Sequence, residues 1–320
     1  MNENLKEDQK TTVLYIASPG RSGSTLMERV LNEIPSVFAA GGLGPNAHLL
    51  KKERVCVCGN TLDECPVWES IINDTAFKKI DQDAFARQFH QYNKHGVVTF
   101  FKLLFLKKRQ KLPSDFKQYL NYLEIVYSTI HKHLGCQVIT DSTIFPFYGY
   151  YLSLIPSIDL YVVQLVRDPK GVVYSWNKIK YTSRNVPWSP KINSLQSAFT
   201  WLKRNGLTDF LFSRKKGKYL RIHYEDFVET PTKTVKEIGN LLGIELESSH
   251  FIHGNTVQLG ENHLAGGNIN TLEKGEIVLK LDERWKRDMK WWKIVLVTLV
   301  TWPLLLKYFI VDKMMKKKHV

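Results

Sequence analysis

Val13-Leu14-Tyr15-Ile16-Ala17-Ser18-Pro19-Gly20-Arg21-Ser22-Gly23-Ser24-Thr25-Leu26 changes character twice along its length. Val13 to Ser18 is a β-branched and aromatic run that breaks at Pro19-Gly20, and Ser24 to Ile34 then repeats Leu26, Val30, Leu31 and Ile34 at helical spacing. The reading is strand, glycine loop, helix, with Pro35 as the stop. The free N–H groups and the positive end of a new helix favour an anion, so the loop is a phosphate cradle by position. Gly20 and Gly23 let the backbone turn tightly and approach that anion, while Arg21, Ser24 and Thr25 add donors that neutralise charge without a metal. An ATP or GTP loop needs Gly-x-x-x-x-Gly-Lys-[Ser/Thr]; here Ser24 follows Gly23, and the cation comes earlier, at Arg21. The plain alternative is an ordinary strand-to-helix turn.

The same alternation continues outward. Val138 to Thr140, Leu160 to Val166 and Tyr219 to Ile222 read as short buried strands, followed by helical patterns at Pro146, Lys170 and Pro231. Thr230-Pro231 opens the last of these and Gly243 ends it, whereas Ala39 to Pro45 reads as a glycine-rich turn. Long helical patterns at Asp81 to Leu106 and at Ser114 to Leu134, the second with Ser114 as N-cap, form an inserted segment at about 68–134. The expectation is a three-layer, P-loop-like α/β fold: a central parallel sheet, inserted helices and a C-terminal apolar helix. Residues 1–12 are expected to be a flexible N-terminal segment, 13–311 the domain and 312–320 a basic tail.

Composition narrows the class. The 320 residues are 43% apolar and 12% aromatic, which excludes a disordered or fibrous chain. A net charge of +14 attracts polyanions, anionic lipid or a highly anionic cofactor. Four cysteines exclude a disulfide-dense miniprotein, and with no N-terminal apolar h-region the expected location is the cytoplasm. Ile294 to Leu306 is an uncharged, mostly apolar run, short of the ~20 residues of a spanning helix and therefore read as buried or interfacial. Lys313, Lys316, Lys317 and Lys318 beyond it suit an anionic membrane surface or simple solvation, so a peripheral membrane contact is among the expected partners. Lys102 to Lys111, beside Phe100, Phe101 and Phe105, is explained by an amphipathic helix with a charged end, and no nucleic-acid motif accompanies it. His131 and His133 are two apart, do not share a helix face and read as solvated.

The order of Arg21-Ser22-Gly23 resembles the 5′-phosphosulfate loop of sulfotransferases that use 3′-phosphoadenosine 5′-phosphosulfate (PAPS). A second stretch, Leu165-Val166-Arg167-Asp168-Pro169-Lys170-Gly171-Val172-Val173-Tyr174-Ser175, leaves a strand and enters a helix. An Arg at the strand end and a Ser about two helical turns later can converge on one anion, and in that family this pair holds the 3′-phosphate. Cys56-Val57-Cys58-Gly59, Cys65-Pro66-Val67-Trp68, Tyr224-Glu225-Asp226, Asn262-His263-Leu264-Ala265-Gly266-Gly267-Asn268, Asp282 to Trp285 and Pro303 to Tyr308 resemble further elements of its microbial-type branch. That branch is itself similar to carbohydrate and tyrosylprotein sulfotransferases.

The resemblance implies a sulfuryl transfer from PAPS to an acceptor hydroxyl, of a glycan or another biomolecule. Gly20, Arg21, Ser22, Gly23, Ser24, Thr25, Arg167 and Ser175 would bind the donor, and Arg21 would also neutralise the departing phosphate. The family's Gly-Glu-Leu, whose glutamate is the usual base, here reads Gly41-Gly42-Leu43; Asp-Ser-Ser-Lys reads Asp141-Ser142-Thr143-Ile144, and Gly-Asn-Pro-x-Arg reads Gly267-Asn268-Ile269-Asn270-Thr271. Substitute bases are His48, Asp141 and His263, against surface-loop and turn-capping readings of His48 and Asp141 respectively. Cys56, Cys58 and Cys65 invite zinc, but Cys-x-Cys is not the usual spacing and no fourth ligand lies nearby in sequence, so no metal is expected. They make one disulfide or stay reduced, and the resemblance implies a structural element. The rival reading is a weak or inactive relative that binds a nucleotide or a partner. A kinase-like P-loop hydrolase ranks third, because the lysine is missing.

Overall fold

The computed structural model describes residues 10–44, 55–105, 112–178, 180–181, 187–189, 192–265 and 274–311. β1 (Thr11–Ala17) passes through the glycine loop into α1 (Ser24–Asn32), and β2 (Val37–Ala39) follows Pro35. α2 (Trp68–Ile72), a 3-10 turn (Phe77–Lys79), α3 (Gln82–Lys94), α4 (Gly96–Phe105) and α5 (Ser114–Leu134) precede β3 (Val138–Asp141). Then come α6 (Pro146–Leu152), β4 (Ile158–Val166), α7 (Pro169–Trp176), the short pair β5 (Lys180–Tyr181) and β6 (Pro187–Ser189), and α8 (Ser194–Phe212). β7 (Tyr219–His223), α9 (Tyr224–Glu229) and α10 (Pro231–Leu242) lead to the antiparallel β8 (Ile252–His253), β9 (Thr256–Leu259) and β10 (Gly275–Val278). α11 (Arg284–Asp288) and α12 (Trp291–Leu305) end in a π turn (Leu306–Val311).

The main sheet is parallel throughout, in the order β2-β3-β1-β4-β7. Its strands obey a period of two. Val13, Tyr15 and Ala17 of β1 join one core with α3, α5 and α6, whereas Leu14 and Ile16 join the other with α1 and α10. β4 divides likewise, Leu160 and Val162 to the first side and Val163 and Leu165 to the second. Helices thus cover both faces, the arrangement that parallel strands require. After β1 the chain fills one side of the sheet with β2 and β3, and the other side with β4 and β7. Ligands of open α/β sheets bind at such a reversal, beyond the carboxyl ends of the strands. The loops after the neighbouring strands β1 and β4, which carry the two phosphate motifs, both emerge there.

Several local expectations are corrected. Thr11 and Thr12, read as part of the N-terminal segment, belong to β1, where Thr11 N bonds to Ser157 O. The stretch read as a turn from Ala39 begins as the end of β2, a strand of three residues. The pattern Asp81 to Leu106 is two helices, broken at His95. Gly96 opens the second against Phe147; a Cβ there would stand 2.2 Å from that ring. Pro113 rather than Ser114 occupies the N-cap of α5. His131 and His133 are not simply solvated: His131 Nδ1 lies 3.0 Å from Cys136 O and His133 Nε2 lies 3.0 Å from Asp74.

Candidate active site

The loop after β1 is held from above by two aromatic rings. Trp176, at the end of α7, donates from Nε1 to Gly20 O at 3.0 Å, and a Cβ on Gly20 would lie 2.7 Å from its Cζ2. Gly23 has φ +96° as the N-cap of α1, and a Cβ there would lie 2.5 Å from Tyr224 Cδ2. These glycines therefore serve ring packing as well as the anion approach read from the sequence. Arg21 takes a positive φ of 73° and sets its guanidinium 5.0 Å from the Trp176 ring centroid. Burial lowers its pKa to about 10, so it stays cationic at neutral pH. Ser18 and Ser22 are buried, and their hydroxyls have no hydrogen-bond partner among the described residues. A buried hydroxyl left unsatisfied costs about 1–3 kcal/mol, which an anion or water drawn into the loop would relieve. The loop therefore fits a phosphate-bearing donor.

Arg167 joins this loop to the second motif. It is only 8% exposed at the end of β4, and its Nη1 donates to Arg21 O at 3.1 Å. Its Nη2 donates to Asp282 O at 3.2 Å and pairs with Asp282 Oδ2 at 3.4 Å, while the guanidinium stands 4.6 Å from the Tyr224 ring centroid. Chiefly Arg284, with Arg167 adding to it, holds the Asp282 carboxyl down to about 2. A Cβ on Gly171 would come 3.1 Å from Arg167 Nε, so the side chain runs along the first turns of α7. Ser175 lies one turn further, four residues on, and shares that helix face. Gly20 to Thr25, Arg167 and Ser175 are thus brought to one end of the sheet.

The substitute bases fare differently. Asp141 is fully buried: its Oδ1 accepts from Thr143 N at 2.6 Å, and its Oδ2 accepts from Tyr127 OH at 2.6 Å and Tyr148 OH at 3.3 Å. It caps the turn after β3, as the alternative reading held, and its carboxylate is closed to an acceptor. His48 lies outside the described residues, as do Gly267, Asn268 and Thr271. Gly42 has room: a Cβ there would meet nothing nearer than Ser142 O and Thr143 Cα at 3.7 Å. Behind it Glu28, which sequence reasoning missed, accepts from Ser142 Oγ at 2.6 Å, and burial raises its pKa well above the ordinary range. Its position on the same side of α1 as apolar Leu31 was the available signal.

His263, the third candidate, is engaged elsewhere. Its Nδ1 lies 3.3 Å from Cys65 Sγ, and one donor atom from each of Cys56, Cys58, Cys65 and His263 falls within 4.8 Å of the others. The fourth donor atom, absent from the sequence neighbourhood of the three cysteines, comes from His263, 198 residues beyond Cys65. All four cysteines are free thiols.

The sequence profile described as "Sulfotransferase family" matches residues 14–248, a span holding both phosphate motifs. The chain belongs to the sulfotransferase family. Carbohydrate sulfotransferase 1 of Mus musculus is 32% identical over 115 residues, covering 32% of this chain and 28% of that relative. The Homo sapiens protein of the same name is 30% identical over 115 residues, with the same coverage. The chain therefore matches little more than a quarter of the length of these relatives. Among solved structures, the sulfotransferase domain from the curacin biosynthetic pathway aligns with 91% of this chain and 97% of its own, at 16% identity and a TM-score of 0.45. The sulfotransferase domain from the Synechococcus PCC 7002 olefin synthase aligns at 15% identity and a TM-score of 0.45, covering 93% and 98%. Tyr224 and Asp282 come from stretches the sequence already marked, whereas Trp176 is revealed only by its packing on the loop.

Proposed function

We propose that the protein transfers a sulfuryl group from PAPS to an acceptor hydroxyl. The single observation that carries this reading is the hydrogen bond from Arg167 to Arg21 O, which locks the two phosphate motifs into one site. Transfer forms a bond from the acceptor oxygen to sulfur and breaks the bond from sulfur to the 5′-phosphate. Charge develops on the departing phosphate, where a preorganised cation contributes most. Arg21, cationic and held on Trp176, stands in that role, with Ser24 and Thr25 as donors to the same end. Arg167 and Ser175 take the 3′-phosphate. For the acceptor's proton we propose His48, a histidine six residues beyond Gly42. Similarity to carbohydrate sulfotransferase 1 supports a glycan acceptor. Arg21→Ala is expected to abolish transfer of labelled sulfate while leaving the unfolding temperature nearly unchanged; normal turnover in that variant would remove the mechanism.

Gly42 supports a second reading, a weak or inactive enzyme that still binds the nucleotide. If the parent has no turnover and Gly42→Glu gains it, the second reading stands; turnover in the parent ends it.

We also propose that the protein works in the cytoplasm, docked on a membrane surface through α12. Trp291–Ile310 is long and apolar enough to cross a membrane, more than the shorter run read from the sequence. However, Val297 and Thr301 are buried on the domain side and Lys307 is pinned to Asp209 at 2.7 Å. Trp292, Val295, Leu299, Trp302, Leu306 and Ile310 recur at three- and four-residue steps and are exposed. An apolar stripe of this kind on a docked helix suits an interfacial position.

A further inference from the structure

We propose that Cys56, Cys58, Cys65 and His263 form a structural zinc site. Their donor atoms lie within 4.8 Å of one another, and Cys65 Sγ and His263 Nδ1 are 3.3 Å apart. A tetrahedral zinc with Zn–S of about 2.3 Å and Zn–N of about 2.0 Å separates its ligands by roughly 3.5–3.8 Å. The four donors already stand on that scale. Three sulfurs and one imidazole select zinc over magnesium or calcium, which take oxygen ligands.

The surrounding backbone is shaped to hold the donors. Cys56 and Cys58 sit on a tight turn in which Gly59 N donates to Cys56 O at 2.9 Å and Cys56 N to Asn60 O at 2.8 Å. Gly59 needs its φ of +97° for that turn, although nothing crowds its Cβ position. Cys65 precedes α2, and its carbonyl accepts from Glu69 N at 2.9 Å, which fixes it at the entry to that helix. His263 is fixed by its own carbonyl, which accepts from Trp68 Nε1 at 2.5 Å, and by its neighbour Leu264, whose carbonyl accepts from Val57 N at 3.2 Å.

Four protein ligands close the shell, so the ion's role is structural. It ties residues 56–65 to the segment at 262–265, where Ala265 N bonds to Ala40 O beside Gly41 and Gly42. The metal thereby braces the rim where the acceptor side of the site begins. Binding releases the thiol protons to solvent, with no change of oxidation state.

The test uses the full chain, purified in reducing buffer without chelator and then dialysed. Mass spectrometry of the metal is expected to give about one zinc per chain, released as a mercurial titrates the thiols. Replacement by Co(II) is expected to give thiolate charge-transfer bands and the d–d bands of a tetrahedral site. Cys58→Ser and His263→Ala are expected to lose the zinc, and Cys136→Ser to keep it. If the variants fail to fold, the Co(II) spectrum of the parent decides alone. A parent that holds no zinc after incubation with Zn(II), gives no tetrahedral cobalt spectrum, or carries a disulfide among the three cysteines overturns the proposal.

Discussion

Replacing Gly23 by alanine tests the geometry of the phosphate loop in two separable parts. The residue holds φ +96°, where an L side chain costs about 1–2 kcal/mol. Its new methyl would also stand 2.5 Å from Tyr224 Cδ2, and overpacking of this kind typically costs about 1–3 kcal/mol. Together these give about 2–5 kcal/mol, or roughly 3–7 °C in unfolding temperature for a chain of this size. Gly217→Ala is the control: φ there is +72° and nothing lies within 4 Å of the Cβ position, so only the first part applies. Because Tyr224 packs on Arg167, moving the ring also shifts the cation that bridges the two motifs. Calorimetry of both variants, with and without 3′-phosphoadenosine 5′-phosphate, reads stability and binding together. Gly23→Ala is expected to melt lower than Gly217→Ala and to bind the nucleotide at least about tenfold more weakly, ~1.4 kcal/mol. Equal melting of the two variants with undiminished nucleotide binding would refute the packing argument.

Three further perturbations probe other parts. Gly42→Glu, placed where the nearest Cβ contact is 3.7 Å, is expected to fold normally and, with His48 already taking the proton, to keep turnover within about tenfold of the parent in transfer of labelled sulfate; a gain of about 10²–10⁴ would mean that the parent has no working base. Glu28→Gln keeps an oxygen for Ser142 and removes a carboxyl whose folded-state pKa is raised by burial. Such an acid is most favourable to folding below its ordinary 4.5, and its contribution erodes as pH climbs from there towards the folded value. Denaturant titrations across that range should accordingly show a flatter pH dependence and higher stability at neutral pH in the variant; an unchanged profile would count against the buried-acid account. The double substitution Leu299→Glu with Trp302→Glu, at positions 67% and 57% exposed, should abolish co-sedimentation with vesicles containing anionic phospholipid and leave the unfolding temperature within about 1 °C.

What could be read from the sequence follows from the range of the forces involved. β1, its loop and α1 are written in a local change of period from two to 3.6, bracketed by glycines, and the structure reproduces them to within two residues at each end. β2 is too short for a period to register and lies against a glycine-rich turn. The break at His95 depends on Gly96 meeting Phe147, a contact between distant segments. Asp141 illustrates the same limit: its place after a strand allowed either a base or a cap, and the bond from Thr143 N to Oδ1 makes the cap while the distant Tyr127 and Tyr148 hydroxyls occupy the other oxygen. The Cys/His cluster is further still from local reading, since His263 stands 198 residues from Cys65. Arg167 could be named from its motif, yet its bond to Arg21 O emerges only when β1 and β4 lie side by side.

The most direct test of the sulfuryl-transfer account is the unfolding temperature of the purified protein with 3′-phosphoadenosine 5′-phosphate, set beside that with ATP and magnesium. A nucleotide at ~100 times its dissociation constant adds about 2.7 kcal/mol, roughly 4 °C for this chain. The account predicts that shift with the 3′-phosphorylated nucleotide and none with ATP and magnesium. No shift with the former, or an equal shift with the latter, would contradict it.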